Sequence, residues 1–540
     1  MLSEDEKETV RRAALRAAEG RKIVAIAAYG SKVAGYSRPD SDYDLIVVVD
    51  KLRPHSKYAY GGIEGKEYSA LLVDEKALIK DAEEASLGEF VSGRFLNVHE
   101  DLEGGEFLRR AEDSLKRRVV LEAIEELFDR YDVFAEQMLI PPSYFLFEKL
   151  KKRAFIYPPV IYSYAKTYSG PQQESNVASS LAGFERVIAE LVRQGFIRRE
   201  GEYCVITREA GRKIKAPLFA EPLRVAERGV KQYIAHGFAG MVGANTAFKE
   251  LTSKISRSRA IEKLPPELEE PKSVIRLPHG RLVFSSDWIK EAIAELNIGS
   301  PYQYKTEGMG DFFSSATLYT IQHPGGETKL VAKKYQDFWS FKWVVANMMT
   351  VTAKQFESKP LLRMAREYKG TISIKRAGAL TPRVVLVEPD DKVIVKEFVE
   401  GENLEPLTRA AMRGEPSALA KVQKFAEVLG RIHSIGYCLG DTKPSNVLIN
   451  EEGVNIVDLE QAEEGGEQPW DIVEYLYYSA ITADSPEAVV RLVRLFKSSY
   501  KMTGPKENLV SASATKYVLP FQILVQPPVA IAIRNELELP

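Results

Sequence analysis

Gly440–Ile449 reads GDTKPSNVLI and places Asp441, Lys443 and Asn446 within six residues, directly ahead of an apolar run. Upstream, PSALAKVQKFAEVLGRIHSIGYCLG (416–440) spaces Leu419, Val422, Leu429 and Ile432 as one face of a helix, which Gly436 can close. Downstream, VNIVDLEQA (454–462) reads as a strand that delivers Asp458. The ten residues therefore sit on a loop between a helix and a hairpin, with a second acid arriving from the hairpin's far end. Phosphoryl transfer uses such a set: a carboxylate for the hydroxyl proton, a cation near the moving phosphate, and oxygen ligands for Mg²⁺. Taken alone, the stretch also fits a surface turn, because Asp, Lys, Pro, Ser and Asn all favour turns.

The surrounding sequence supplies four more signals in order. TEGMGDFFSSATLYTI (306–321) is a turn between strand-like runs whose Gly308 and Gly310 can lay backbone N–H groups over phosphates. TKLVAKKYQ (328–336) is a strand in which period two turns one of Lys333 and Lys334 inward. PLLRMAREYKGTI (360–372) is a helix whose Glu367 can pair with that lysine. KVIVKEFVEGENL (392–404) is a buried strand running into Glu397, Phe398 and Val399, a connector able to offer backbone groups to an adenine.

Together these five signals resemble the protein-kinase-like superfamily, particularly its atypical RIO-type, Bud32-type and lipopolysaccharide-kinase-like members. The resemblance implies ATP and Mg²⁺ as cofactors, with Asp441 as catalytic base and Lys443 on the γ-phosphate. Asn446 and Asp458 would be the metal ligands. Lys333, favoured over Lys334 by its spacing to the following aromatic, would hold the α- and β-phosphates, with Glu367 orienting it. Leu439-Gly440 replaces the His-Arg that precedes the Asp in protein kinases, and Asp458-Leu459-Glu460 replaces Asp-Phe-Gly. Only twelve residues, LEQAEEGGEQPW, separate Asp458 from Asp471. That is too few for an activation loop and a peptide platform, so the acceptor is expected not to be a docked peptide.

At the other end, AYGSKVAGYSRPDSDYDLIVVV (28–49) holds Gly30-Ser31, then Asp42 and Asp44 one residue apart. Carboxylates at i and i+2 of a strand share a face and can share metal ions. The pattern resembles the DNA polymerase β-type nucleotidyltransferases. That fold draws a third carboxylate from a later strand, where EYSALLVD (67–74) offers Ser69. A degenerate domain retained for binding is the expectation. Between the two, LAGFERVIAELVRQGFIRREGEYCVITREAGRKIK (181–215) puts Phe184, Ile188, Leu191 and Val192 on one helical face, then two short strands about Gly201. It reads as a winged helix, with Arg193, Arg198, Arg199, Arg212, Lys213 and Lys215 placed to neutralise phosphates. A second basic run occupies 249–263.

The expected organisation is multidomain α+β. It comprises a nucleotidyltransferase-like domain (1–110), a helical segment (111–155), a winged helix (156–215), a mixed helical linker (216–295) and a two-lobed kinase-like domain (296–540). The tail from Leu519, with its double Pro, reads as extended or docked. The 540 residues carry 74 basic and 76 acidic side chains, a net charge of −2, so any nucleic-acid contact must use local patches. Two distant cysteines, Cys204 and Cys438, fit a reducing compartment. The charged N-terminus, with Ser3 and Glu6 at capping-box spacing, has no apolar signal core, and no membrane contact is expected; the expected location is cytoplasmic. The order of modules resembles the archaeal RNA kinases that phosphorylate a ribose 2′-hydroxyl of a variable-loop uridine in tRNA, which implies tRNA as partner. Two other readings stay open: a protein or small-molecule kinase whose winged helix only mediates interactions, and a nucleotidyltransferase regulator with a degenerate kinase lobe.

Overall fold

The computed structural model describes residues 2–539 except 214–223, 225–226, 233–234, 236–263, 310–315, 337–349, 351–352 and 523. Gly310, Lys215 and the basic run 249–263 lie outside the described residues. The chain forms two compact units, 1–276 and 277–540.

In the first unit, Glu4–Ala18 is a helix with the expected Ser3/Glu6 capping box, burying Val10, Ala13, Ala14 and Ala17. It covers a five-stranded sheet in the order β3-β4-β2-β1-β5. The strands are β1 (Ile23–Tyr29), β2 (Tyr43–Val49), β3 (Ser56–Ile63), β4 (Lys66–Asp74) and β5 (His99–Glu103). Strands β2 and β4 run parallel, in a register that sets Asp44 beside Ser69. Helices Gly105–Tyr131 and Pro142–Ile156 follow. A later helix is Gln173–Arg193. Its inner face is Phe184, Val187, Ile188 and Leu191, whereas Val192 is only half-buried. It leads into the hairpin β6 (Ile197–Glu200) and β7 (Tyr203–Ile206), turning at Gly201 with φ 59°. Ile140 bridges to Cys204 on the outer edge of β7.

The second unit begins at Leu277, not at 296. The two-residue strand β8 (Arg281–Leu282) pairs in parallel with β12 (Val384–Glu388). Trp288–Glu295 is a helix that sends Ala292 and Ile293 into the same apolar core as Ile321, Leu330, Val393 and Val395. Residues 277–295, expected in the linker, thus complete the edge of the six-stranded sheet β8-β12-β13-β11-β10-β9. Its other strands are β9 (Gln303–Met309), β10 (Ala316–His323), β11 (Gly326–Lys334) and β13 (Val393–Glu397).

Helix Pro360–Ser373 follows β11 in this half. The other half is helical, with Pro416–Ser434 and Gln468–Ala480 around a core that includes Leu429, Ile432, Trp470, Tyr475 and Phe496. Small strands decorate it: β14 (Glu402–Asn403), β16 (Val447–Ile449) and β17 (Val454–Ile456) form one sheet, and β15 (Tyr437–Cys438) pairs with β18 (Glu463–Glu464). The tail docks, as one of its two readings required, but as a helix: Pro527–Glu538 buries Val529, Ala530, Ile533 and Leu537. The double Pro starts this helix, because a first-turn residue needs no N–H partner. Among the described residues no helix is long and apolar enough to cross a membrane.

Candidate phosphoryl-transfer site

The helix Pro416–Ser434 ends at Gly436, whose φ of 78° lets the chain turn into the short β15. The loop then runs to β16, which pairs with β17 and returns the chain to Asp458. Asp441 is 6% exposed, and its Oδ1 lies 2.8 Å from the Lys443 ammonium. The Asn446 amide nitrogen donates to the Asp441 carbonyl at 3.0 Å, leaving the amide oxygen as the acceptor of that side chain.

Buried groups fix the loop from below. Asp471 accepts from the N–H groups of Leu439 (2.6 Å) and Gly440 (2.7 Å), and meets His433 Nε2 at 3.1 Å. Burial disfavours its charge, but His433, Lys354 and the Leu439 N–H together hold its carboxyl below the usual range. Glu474 accepts from the Thr442 N–H at 2.7 Å and from Trp470 Nε1 at 3.2 Å. Burial, with Asp441 close by, pushes its carboxyl well above the usual value. Gly440 has φ 76°, and a Cβ there would meet the Gln461 carbonyl oxygen and the Lys354 ammonium, each at 2.4 Å.

Across the site, Lys333 is the inward lysine of β11. Its ammonium is 3.0 Å from Glu367, 2.8 Å from Asp458 and 3.3 Å from Glu460. Burial works against its charge, yet Asp458, Glu367 and Glu460 outweigh that and hold its pKa well above the usual lysine value. Lys334 points outward, its side chain 45% exposed and 3.8 Å from Asp391. Glu367 receives a second lysine, Lys396 of β13, on its other oxygen. Arg363 meets Glu460 at 3.3 Å. Gly308 lies on β9 opposite Thr317 rather than in a turn. The N–H groups of Glu397 and Phe398 donate to the Arg383 and Lys329 carbonyls, and Val399 is half-buried.

The structure thus brings Asp441, Lys443 and Asn446 together on one loop, and Lys333, Glu367 and Asp458 into one ion-paired cluster. Among the described residues no group of three or more His, Cys, Asp or Glu side chains could hold a metal by itself. A carboxylate and one amide oxygen suit a Mg²⁺ ion that brings phosphate oxygens as further ligands. Lys396 and Glu474 were not singled out from the sequence, and Glu460 and Asp471 were named there only as positions, without a role. Lys396 carried a usable signal, since a lone charge in the apolar run VIVK must find a partner when buried.

No protein-family model matches the chain. Over 145 residues it is 26% identical to the KEOPS complex subunit Bud32 of Pyrococcus abyssi, covering 26% of this chain and 65% of that one. A 79-residue stretch is 35% identical to the serine/threonine-protein kinase PknG of Mycolicibacterium smegmatis, covering 14% of this chain and 10% of that one. The chain carries a kinase-like domain. Over 377 residues it is also 22% identical to a probable bifunctional tRNA threonylcarbamoyladenosine biosynthesis protein of Methanosarcina mazei, covering 63% of this chain and 62% of that one. The chain spans less than two thirds of the length of each of these curated relatives.

Outside the kinase-like domain, Gly30 packs directly on Asp44, whose carboxylate oxygen lies 2.1 Å from where a Cβ would stand. Asp42 immediately precedes β2, and Ser31 opens a short helical turn. Buried Ser69 occupies the neighbouring register position on β4. Arg94 donates to the hydroxyls of Tyr29 (3.0 Å) and Tyr58 (2.7 Å). Burial disfavours its charge, but Tyr29, Tyr58 and Asp44 raise its pKa. Near the hairpin, the basic residues are not a bare cationic track. Arg198 pairs with Glu200, Arg199 with Glu185, and Lys213 with Glu209. Arg193 and Arg212 are exposed.

Proposed function

We propose that the chain transfers the γ-phosphate of ATP to a hydroxyl of RNA, with a ribose 2′-hydroxyl of tRNA as the first acceptor to test. The observation that carries the reading is the Asp441–Lys443 pair at 2.8 Å beside the Lys333–Asp458 contact, also 2.8 Å. Bound Mg²⁺, held by Asp458 and Asn446, would neutralise charge on the phosphates. Asp441 accepts the proton of the attacking hydroxyl, and Lys443 steadies that carboxylate and the phosphate beside it. Lys333 donates to the α- and β-phosphates. With the Glu397 and Phe398 N–H groups already engaged, the connector N–H left for the adenine is that of Val399. A 2′-hydroxyl is an alcohol like that of serine, so the chemistry needs no further group.

RNA is favoured over a peptide by the span after Asp458. Its Glu463–Glu464 strand is tied to Tyr437–Cys438, the Gly465 N–H donates to the Gly436 carbonyl at 2.8 Å, and a helix begins at Gln468. The tRNA-related name of the Methanosarcina relative points the same way. In this reading the first unit, with its nucleotidyltransferase-like sheet and winged-helix-like hairpin, binds RNA by shape and charge. Incubating the protein with γ-labelled ATP or α-labelled NTP, against bulk tRNA and against protein, tests it. Label from γ-ATP on tRNA is expected. Label only on protein, or only from the α-position, would replace this reading with one of its rivals.

A further inference from the structure

Among the described residues, the ion pairs around Lys333 join three cations, Lys333, Lys396 and Arg363, to three carboxylates, Glu367, Asp458 and Glu460. Glu367 is 0% exposed and Lys396 4% exposed, so each needs a charged partner whatever else happens at the site. Lys333 contacts Glu367 through Oε2, and Lys396 contacts it through Oε1 at 2.5 Å. The Lys396 ammonium also donates to the Val457 carbonyl at 3.1 Å, one residue before Asp458. One lysine on β13 therefore ties the Pro360–Ser373 helix to the backbone that carries the metal-ligand candidate.

This arrangement bears on a conflict at the site. To donate to a nucleotide's phosphates, Lys333, whose ammonium meets Glu367, Asp458 and Glu460, must redirect part of that bonding. Were Lys333 the sole counter-ion of Glu367, sharing its charge with the phosphates would leave a buried carboxylate under-neutralised, and nucleotide binding would bear that cost. We infer that Lys396 is a positioning residue that keeps Glu367 neutralised and the Asp458 turn in place, releasing Lys333 to the phosphates of a Mg²⁺-bound nucleoside triphosphate. The inference rests on the kinase reading of this unit.

The test compares the full-length wild type with Lys396→Met and Lys396→Arg. Mg·ATP affinity is measured by calorimetry, and the melting temperature with and without nucleotide and with and without Mg²⁺. In Lys396→Met, Mg·ATP affinity is expected to fall about tenfold or more, and the nucleotide-induced rise in melting temperature to shrink accordingly. The loss should be larger with Mg²⁺ than without it, because the Asp458 turn has lost its anchor. Lys396→Arg, which keeps a cation and hydrogen-bond donors, is expected to recover much of the affinity. A purely structural role predicts a lower melting temperature in both nucleotide states, with affinity and the nucleotide-induced shift unchanged; that result overturns the inference. Failure of the wild type to bind ATP would instead overturn the kinase reading beneath it.

Discussion

The carboxylates of the first unit's sheet and those of the kinase-like domain are both set by short local motifs, yet their surroundings differ. Asp441 and Asp458 are met by Lys443 and Lys333, and helices from elsewhere in the chain hold them through Asp471, Glu474 and Glu367. Asp44 is met by the backbone of Gly30 and by a register neighbour that is serine, and its charge reaches the tethered guanidinium of Arg94. A metal-dependent site needs oxygen ligands placed where the cation and its phosphates bind. The second unit has the acids, the ion-paired lysine and the oxygen donors for that. The first has two acids, a serine and a fixed positive charge. Motif spacing brings donors to one face; distant partners decide whether the face can do chemistry.

The sharpest way to break this contrast is Asp441→Asn. Turnover of the RNA kinase reaction is expected to fall by about 10²–10⁴-fold with ATP affinity nearly intact, because Asn keeps the shape but cannot accept the proton. Near-normal kcat would remove Asp441 from the chemistry. A smaller effect is expected from Arg193→Glu with Arg198→Glu, which spares half-buried Arg199 and its partner Glu185. The KM for tRNA should rise several-fold with kcat unchanged, and the log–log salt slope should flatten by about one unit per lost phosphate contact. Binding curves at two salt concentrations that match the wild type would return the hairpin to a packing role. The smallest effect belongs to Asp42→Ala with Asp44→Ala, which should leave γ-phosphate transfer within about twofold, as expected for changes outside the kinase-like domain. Complete loss of transfer in that variant, shown folded by its melting curve, would mean that the first unit holds the catalytic acids.

The loop of Gly440–Ile449 was legible because its signals are local: a helical period ending at Gly436, then a loop, then a hairpin. Period two could say only that one of Lys333 and Lys334 faces inward; the partner at Glu367 settles which one does. Lys396 was passed over because its strand reads as an apolar run, although a lone charge buried there needs a partner. The start of the second unit escaped because β8 has two residues and pairs with a strand about a hundred residues on, beyond the reach of any local pattern. Proline misled at the tail, where the same residue that breaks a helix interior opens a helix at its first turn. The basic residues of the hairpin were visible as charges, whereas Glu185, which holds Arg199, comes from the preceding helix.

Gly440 stands where protein kinases carry an arginine. In those enzymes phosphorylation orders an activation loop by pairing the new phosphate with arginines. Here the left-handed backbone, the Gln461 carbonyl and the Lys354 ammonium leave no room for a side chain at 440. The segment after Asp458 is also too short to carry a phosphate to it. A switch of that kind has neither its receiver nor its lever in this fold. The loop is instead tethered by buried Asp471, which accepts from the N–H groups of Leu439 and Gly440. Control over the reaction then passes to whatever governs access of the acceptor, and a single substitution cannot reinstall the lost relay.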